Sequence, residues 1–208
     1  MNQPLLRPGG RTALVREAVL RATWEALGER GSAGLDLADI ARRAGVGKTT
    51  VYRRWGTVPG LLADVLDAMG EAEVHRIDSG SLEADLTVLA LIIRASLADP
   101  REGPMFKAFI AAAIGDEAAA KALHRFYRIR AAAWKSFVER AVERGEAPAG
   151  TDAFEVIWAL SAPLYYRLLA SGDPLDEPAA KRAAAACAAA ARAGVFVTAP
   201  SEPRPEPA

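Results

Sequence analysis

Apolar residues recur along this 208-residue chain at spacings of three and four, whereas the alternation typical of strands is nearly absent. Clusters of glycine and proline separate the periodic stretches. The pattern therefore predicts an all-α fold with about nine helices, at residues 11–30, 37–44, 48–54, 58–77, 82–98, 104–113, 117–145, 152–171 and 177–194.

Composition places the chain among globular proteins that work inside the cell. Hydrophobic residues make up 51% and charged residues 25% of the sequence. No apolar run is long enough for a membrane span or a signal peptide, and the single cysteine, Cys187, fits a reducing compartment. We expect a cytoplasmic location. Residues 199–208 contain four prolines, which predicts a disordered tail.

Charge is distributed unevenly, although 26 basic and 26 acidic residues give no net charge. Residues 1–60 carry ten Arg or Lys and five Asp or Glu, and the remainder of the chain is mildly acidic. A basic N-terminal region is what a protein needs if only that end meets phosphates. Chance asymmetry is the alternative explanation.

Two short helices joined by a glycine turn are predicted at residues 36–55. Asp36 can cap the first helix, in which Leu37, Ile40 and Ala41 form an apolar stripe. Gly45 follows, at the point where a helix ends with positive φ. The spacing predicts a helix-turn-helix.

The second short helix is apolar on one face and rich in donors on the other. Its inner face carries two apolar residues, Val51 and Trp55. The outer face carries hydrogen-bond donors and no acid, at Lys48, Thr49, Thr50, Tyr52 and Arg53. Such a helix is typical of a unit that contacts DNA in the major groove.

The segment closely resembles the TetR/AcrR family of bacterial repressors, in the run from Asp39-Ile40-Ala41 through Ala44-Gly45-Val46 to Thr50-Val51-Tyr52-Arg53-Arg54-Trp55. The resemblance covers about residues 11–65. It implies a DNA-binding head at residues 1–56 and a helical body for effector binding and dimerisation at 57–198. It also implies a homodimer that binds a near-palindromic operator on double-stranded DNA and is released by a small-molecule effector.

The same resemblance assigns roles to the recognition helix. Lys48, Thr49 and Thr50 would contact base edges and neighbouring phosphates, while Tyr52 and Arg53 would bind the DNA backbone. Tyr52 could alternatively be a core aromatic residue and Lys48 an ordinary surface lysine. Base-edge contacts specify a site and phosphate contacts position the protein, so the first three residues are the candidates for specificity.

Three positions depart from the pattern of the family. Asp36 stands where relatives usually have a threonine that contacts a phosphate, so we assign it a capping role only. Val58 replaces a common phosphate-binding lysine. Gly47 replaces the usual serine cap, which leaves the first amides of the recognition helix open to a phosphate. Trp55 is expected in the core, and Arg42, Arg43 and Arg54 in ion pairs or solvent.

The resemblance places dimerisation in the last two long helices, 152–171 and 177–194. The second of them is almost all alanine between residues 179 and 192, and small side chains let another helix approach closely. The alternative is that both helices pack only within their own subunit. An effector pocket could be lined by aromatic residues that could equally be plain core, namely Phe109, Phe126, Trp134, Trp158, Tyr165 and Tyr166.

Other classes of function have little support in the sequence. Gly-rich phosphate loops, nucleophile elbows and acid–base pairs are absent, so we expect no enzyme and no cofactor. The two histidines, His75 and His124, have no cluster of further ligands, so no metal site is predicted. The main alternative to a regulator is a helical interaction protein whose degenerate head no longer binds DNA.

Overall fold

The computed structural model describes residues 10–30, 34–70 and 77–198. These ranges form nine α-helices and no β-strand, which confirms the predicted all-α fold. The helices are α1 (Gly10–Arg30), α2 (Leu37–Arg43), α3 (Lys48–Trp55), α4 (Val58–Gly70), α5 (Leu82–Ala98), α6 (Glu102–Gly115), α7 (Glu117–Glu143), α8 (Ala153–Tyr166) and α9 (Glu177–Arg192). A π-helical turn, Arg167–Ser171, directly follows α8.

Short polar side chains fix where several helices begin. Each accepts a hydrogen bond from a backbone N–H two or three residues further on, at 2.8–3.3 Å. These caps are Asp36, Ser81, Asp152 and Asp176. They satisfy N–H groups that have no partner within the helix, which is why the chain enters each helix at that residue.

Most helices begin and end close to their predicted positions. Helix α5 has the predicted bounds, and α2, α3, α7 and α9 differ by one or two residues at their ends. Helix α4 ends at Gly70, and residues 71–76, which were predicted to continue it, lie outside the described ranges. The predicted disordered tail, residues 199–208, also lies outside them.

The chain divides into two compact units, one from Met1–Ala72 with Pro100–Phe126 and one from Glu73–Asp99 with Tyr127–Ala208. In the first unit, α1 packs against α2 and α4, and α2 packs against α3. Their shared core is a cluster of buried residues: Val19, Ala22, Ala26, Leu37, Ile40, Ala41, Val51, Trp55 and Leu61. This first unit holds the whole predicted helix-turn-helix.

In the second unit, α5 packs closely along α9, and both contact α8. Fully buried alanines of α9, at Ala180, Ala184 and Ala188, allow this close approach. One face of the alanine-rich helix is therefore used within the chain itself. The opposite face, which includes Ala185, Ala186 and Ala189, is exposed.

Candidate nucleic-acid interface

Helices α2 and α3 form a helix-turn-helix. Gly45 adopts φ of +66°, a conformation that glycine takes without steric cost, and so ends the first helix. The turn is closed by a hydrogen bond from the Val46 amide to the Ala41 carbonyl at 3.0 Å. Gly47, in an extended conformation, then starts α3 without a side-chain cap. The chain is thus redirected within four residues.

The inner faces of α2 and α3 are buried, as the spacing of their apolar residues predicted. Val51 is fully buried and Trp55 is 8% exposed, so Trp55 is a core residue. They pack in one cluster with Leu37, Ile40 and Ala41 of α2. This buried face fixes which side of α3 is left for solvent.

The outer face of α3 carries the residues predicted to meet DNA. Lys48, Thr49 and Arg53 are exposed, and Thr50 is half-buried. Tyr52 is 47% exposed, so it is not the core aromatic residue that the alternative interpretation allowed. Gly47, just before the helix, is exposed as well. The structure brings the predicted side chains of α3 together along its outer face.

The arginines of α2 are engaged in ion pairs. Arg42 and Arg43 both bind the carboxylate of Asp39, and Arg43 also binds Glu29 at 2.9 Å. Hydrogen bonds from Arg43 and Arg42 lower the pKa of Asp39, which keeps the carboxylate charged. The expectation that these arginines are salt-bridged is confirmed.

Two cations of α3, one in its first turn and one in its last, lack the acidic partners that the arginines of α2 have among the described residues. In the described ranges, neither Lys48 nor Arg53 has an ion pair or a side-chain hydrogen bond. Arg54 is engaged: its guanidinium lies 5.0 Å from the centre of the Trp55 ring and donates to the Thr12 carbonyl at 3.1 Å. Lys48 and Arg53 are therefore available for an anionic partner.

Two of the three departures from the family pattern, at Asp36 and Val58, have a structural basis. Asp36 accepts the amide N–H of Asp39 at 3.1 Å, so its predicted role as the cap of α2 is confirmed. Val58 opens α4 and packs, partly buried, against the core of the first unit. A valine there contributes apolar contact in place of a cation.

One functional candidate escaped the sequence analysis, namely Asp64 of α4. Its carboxylate accepts the indole N–H of Trp55 at 2.8 Å and two N–H groups of Arg16 at 2.7–3.1 Å. Partial burial acts to raise the pKa of Asp64, but the hydrogen bonds from Arg16 and Trp55 outweigh it and hold the pKa below its ordinary value. Only the fold brings these three residues together.

The aromatic residues predicted to line a pocket fall into both units. Phe109 and Phe126 lie in the first, each with its ring against that of Phe106 at 6.4 and 6.2 Å between centres. In the second unit, Trp158 packs on Phe154 at 5.9 Å. Phe109 and Phe126 are buried, so their contacts are those of core packing, whereas Phe154 and Trp158 are half-buried.

The remaining three candidates also belong to the second unit. Tyr165 of α8 meets Tyr127 of α7 edge to face at 5.8 Å, and burial raises its pKa well above the ordinary value. Trp134 is 7% exposed, with the guanidinium of Arg130 5.1 Å from its ring centre. Its indole N–H is buried and has no hydrogen-bond partner among the described residues. Tyr166, by contrast, is 63% exposed on the surface of α8.

Metal-binding clusters and membrane-spanning helices are both absent from the described residues. No three His, Cys, Asp or Glu side chains of the described ranges are grouped so that they could hold a metal ion, and His75 lies outside those ranges. Among the helices described, none has the length and apolar content required to cross a membrane.

Two family models match the chain in succession. Residues 19–65 match the model of the bacterial regulatory proteins of the tetR family, and residues 76–187 match the tetracyclin repressor-like C-terminal domain. The HTH-type transcriptional regulator AqdR of Rhodococcus erythropolis is 33% identical over 170 residues, which cover 81% of this chain and 82% of AqdR. The HTH-type regulator YdeS of Bacillus subtilis is 29% identical over 162 residues, covering 77% and 81% of the two chains.

Solved structures agree with the sequence matches. The TetR family transcription regulator SCO0332 is 26% identical and superimposes with a TM-score of 0.67, covering 84% of this chain and 97% of SCO0332. A TetR transcription regulator from Haloarcula marismortui shares the fold, at 22% identity and a TM-score of 0.68, covering 86% and 98% of the two chains. The chain therefore belongs to the TetR family of helix-turn-helix transcriptional regulators.

Proposed function

We propose that this regulator is a homodimeric repressor that binds a near-palindromic operator through α3 and leaves it when a small molecule binds the body. The observation that supports the proposal is the contrast within α3. Its inner face is buried, whereas Lys48, Thr49, Tyr52 and Arg53 are exposed on the other side. A helix face that carries hydrogen-bond donors and no acidic residue suits the major groove of DNA, where the base edges present many acceptors.

Each residue predicted to meet DNA then has a role. Lys48, Thr49 and Thr50 contact base edges and adjacent phosphates at the start of the helix, where side chains reach deepest into the groove. Tyr52 and Arg53 bind the DNA backbone and fix the register. Gly47, which has no side chain to cap the helix, leaves the first amides accessible to a phosphate.

A second copy of the chain covers the exposed face of α8 and α9. Tyr166, the last residue of α8, and Leu169, in the π-helical turn that follows it, are large apolar residues that are 63% and 46% exposed. Beside them is a depression of about 430 Å³, lined largely by small side chains: Ala159, Pro163, Arg167, Ala179, Arg182, Ala183, Ala186, Cys187, Ala190 and Phe196. Exposed apolar area next to small residues favours helix-on-helix contact across a two-fold axis.

A dimer also accounts for the form of the operator. One copy of α3 contacts only a few base pairs, so two copies related by a two-fold axis require two inverted half-sites. The half-sites lie about one turn of DNA, or about 34–36 Å, apart. The head at residues 1–56 thus acts in pairs, held by the body at residues 57–198.

The effector site is formed by the polar and aromatic cluster of the second unit. Tyr127, Arg130, Trp134 and Tyr165 supply donors on two neighbouring helices, and the buried Trp134 N–H has no partner among the described residues. An aromatic or apolar molecule with an acceptor oxygen matches this set. Such a ligand releases the operator only if it prefers the form of the dimer that does not bind DNA.

The DNA of a bacterium lies in the cytoplasm, so we place the protein there. Binding to an operator requires no catalysis, so we propose a regulator without enzymatic activity. The test begins with duplexes that the 208-residue protein enriches from a randomised library, and the duplex that it binds most tightly is called the selected duplex. Fluorescence anisotropy on it should give tight binding that weakens steeply between about 50 and 200 mM salt. Replacing Lys48 and Tyr52 together with alanine should abolish that binding.

The same experiment tests the alternative of a degenerate head. If no duplex is enriched, or if the double variant binds as well as the wild type, the proposed function is wrong and an interaction protein is favoured. For the effector, a thermal-shift screen of aromatic acids and ketones should give a compound that raises Tm and releases the selected duplex. Trp134→Phe should remove both effects.

A further inference from the structure

Three helices of the first unit meet at one carboxylate, that of Asp64 in α4. From α3, the indole N–H of Trp55 donates to Oδ2 at 2.8 Å. From α1, Arg16 donates through Nε and Nη2 to both oxygens at 2.7–3.1 Å. Charge-assisted bonds of this geometry are shorter and stronger than neutral ones and restrict orientation as well as distance.

The contact on the α3 side is made by the last residue of the recognition helix. The guanidinium of Arg54 lies 5.0 Å from the centre of the Trp55 ring and also donates to the Thr12 carbonyl of α1 at 3.1 Å. The ring is 8% exposed, so it has little room to turn. The C-terminal end of α3 is thus held by α1 and by α4.

The backbone at the same corner is equally constrained. Gly56, between α3 and α4, adopts φ of +71°, and its amide closes α3 by donating to the Tyr52 carbonyl at 2.9 Å. At Gly60, in the first turn of α4, an added Cβ would overlap the carbonyl oxygen of Trp55. The two helices therefore approach as closely as glycine allows, and Asp64 lies one turn beyond this contact.

We propose that Asp64 is a positioning residue for DNA recognition, which sets the orientation of α3 relative to α1 and α4. The inference rests on the proposed function, because it concerns how α3 meets bases. A small rotation of α3 moves Lys48 and Thr49, at the far end of the helix from Trp55, by the largest amount. Base-edge hydrogen bonds tolerate little displacement, whereas attraction to phosphates is non-directional by comparison.

Because of this difference, a loss of orientation can be distinguished from a general loss of stability by comparing specific with non-specific affinity. Removing the charge of Asp64 takes one negative charge out of a DNA-binding region, which by electrostatics alone strengthens binding to any duplex. Loss of orientation acts in the opposite direction, and only on the selected duplex. Specific affinity should fall while affinity for random DNA is unchanged or rises.

The test compares Asp64→Asn with Asp67→Asn, a control one turn later on the same helix. Asp67 also accepts two N–H groups of an arginine, Arg125, at 2.9–3.2 Å. Within the described residues it has no hydrogen bond or ion pair with α3. Both substitutions keep the side-chain size and remove one charge. Binding to the selected duplex and to random duplex is measured at a temperature where melting curves show each variant to be fully folded.

We expect Asp64→Asn to bind the selected duplex about tenfold more weakly, a loss of about 1.4 kcal/mol, with random-duplex affinity unchanged or higher. Asp67→Asn should stay within about twofold of the wild type on both duplexes. Equal loss on both duplexes, or an unchanged ratio between them, would overturn the proposal. A wild type that enriches no duplex would instead refute the proposed function.

A second variant keeps the proposal testable if Asp64→Asn does not fold. Trp55→Phe retains an aromatic ring, the Asp64 charge and the Arg16 pair, but it removes the N–H donor. It should lower the ratio of selected to random affinity in the same direction. Where both single variants fold, the double variant should bind the selected duplex no more weakly than the worse single one, because both changes break the same contact. Additive losses would contradict the proposal.

Discussion

Helices α2 and α3 are neighbours in the helix-turn-helix, and both carry cations, but they use them differently. The two arginines of α2, Arg42 and Arg43, are bound by Asp39, and Arg43 by Glu29 as well. In α3, neither Lys48 nor Arg53 has such a partner among the described residues. The difference comes from one acid in the first turn of α2 that has no counterpart in α3.

The two helices show that the number of charges in a region locates an interface only coarsely. The excess of basic residues in positions 1–60 pointed to the N-terminal region, but it could not separate α2 from α3. A paired arginine must first lose its carboxylate before it can bind a phosphate, so it contributes little to DNA affinity. Unpaired cations on an exposed face are the better guide.

Reversing one charge in α3 and, in a separate variant, one charge in α2 should give the largest difference in DNA affinity. Lys48→Glu removes a DNA contact and places a carboxylate in the groove, so the affinity for the selected duplex should fall by about 100-fold or more. Arg42→Glu, the matched change in α2, should cost only about threefold, since Arg42 is engaged by Asp39. Anisotropy titrations of both variants at one salt concentration provide the measurement.

Equal losses in the two variants would show that α2 contacts DNA as closely as α3 does. The salt dependence offers an independent control. Lys48→Glu should reduce the slope of log affinity against log salt by about one phosphate contact, whereas Arg42→Glu should leave the slope nearly unchanged.

Removing the acid of α2 should free Arg42 for DNA, whereas Arg43 keeps its ion pair with Glu29. Asp39→Asn releases Arg42 and Arg43 from their shared carboxylate, so binding to random duplex should strengthen by about fivefold at low salt. Glu117→Gln is the control, because Glu117 pairs with Lys121 at the start of α7, outside the helix-turn-helix. Random-duplex affinity that stays at the wild-type value in Asp39→Asn would argue against the role assigned to pairing.

The same ion pairs predict how stability depends on pH. The pKa of Asp39 is lowered in the folded chain, chiefly by Arg43 and then by Arg42. Its pairs therefore stabilise the fold above the unfolded pKa of about 4 and are lost as the pH falls through the lower folded value. Wild type should melt at a higher temperature than Asp39→Asn at pH 7, and the gap should close in acid. A gap that widens below pH 4 would contradict this assignment.

Local features of the fold could be predicted from sequence, because short-range rules determine them. The bounds of α5, the cap at Asp36 and the glycine turn at Gly45 each depend on residues within one turn of the chain. The buried position of Trp55 followed from helical spacing in the same way.

Contacts between distant residues could not be predicted. Arg16 and Asp64 are 48 positions apart, and their pairing depends on the angle at which α1 crosses α4. That angle is set by the whole core of the first unit, so no local pattern predicts the contact. The same holds for Glu29 and Arg43, and it explains why the sequence alone left Arg43 between solvent and an ion pair.

The smallest expected effect concerns Asp36, the acid at the entrance to α2. Asp36→Asn keeps an oxygen that can accept the Asp39 amide, so stability should hardly change, while the loss of one negative charge should raise DNA affinity by about twofold. Asp116→Asn is the matched control, because Asp116 caps α7 in the same way, by accepting the Ala119 amide at 2.8 Å, but lies outside the helix-turn-helix. If both variants gain affinity alike, the gain reflects net charge alone, and Asp36 does not face the phosphates that a threonine contacts in relatives.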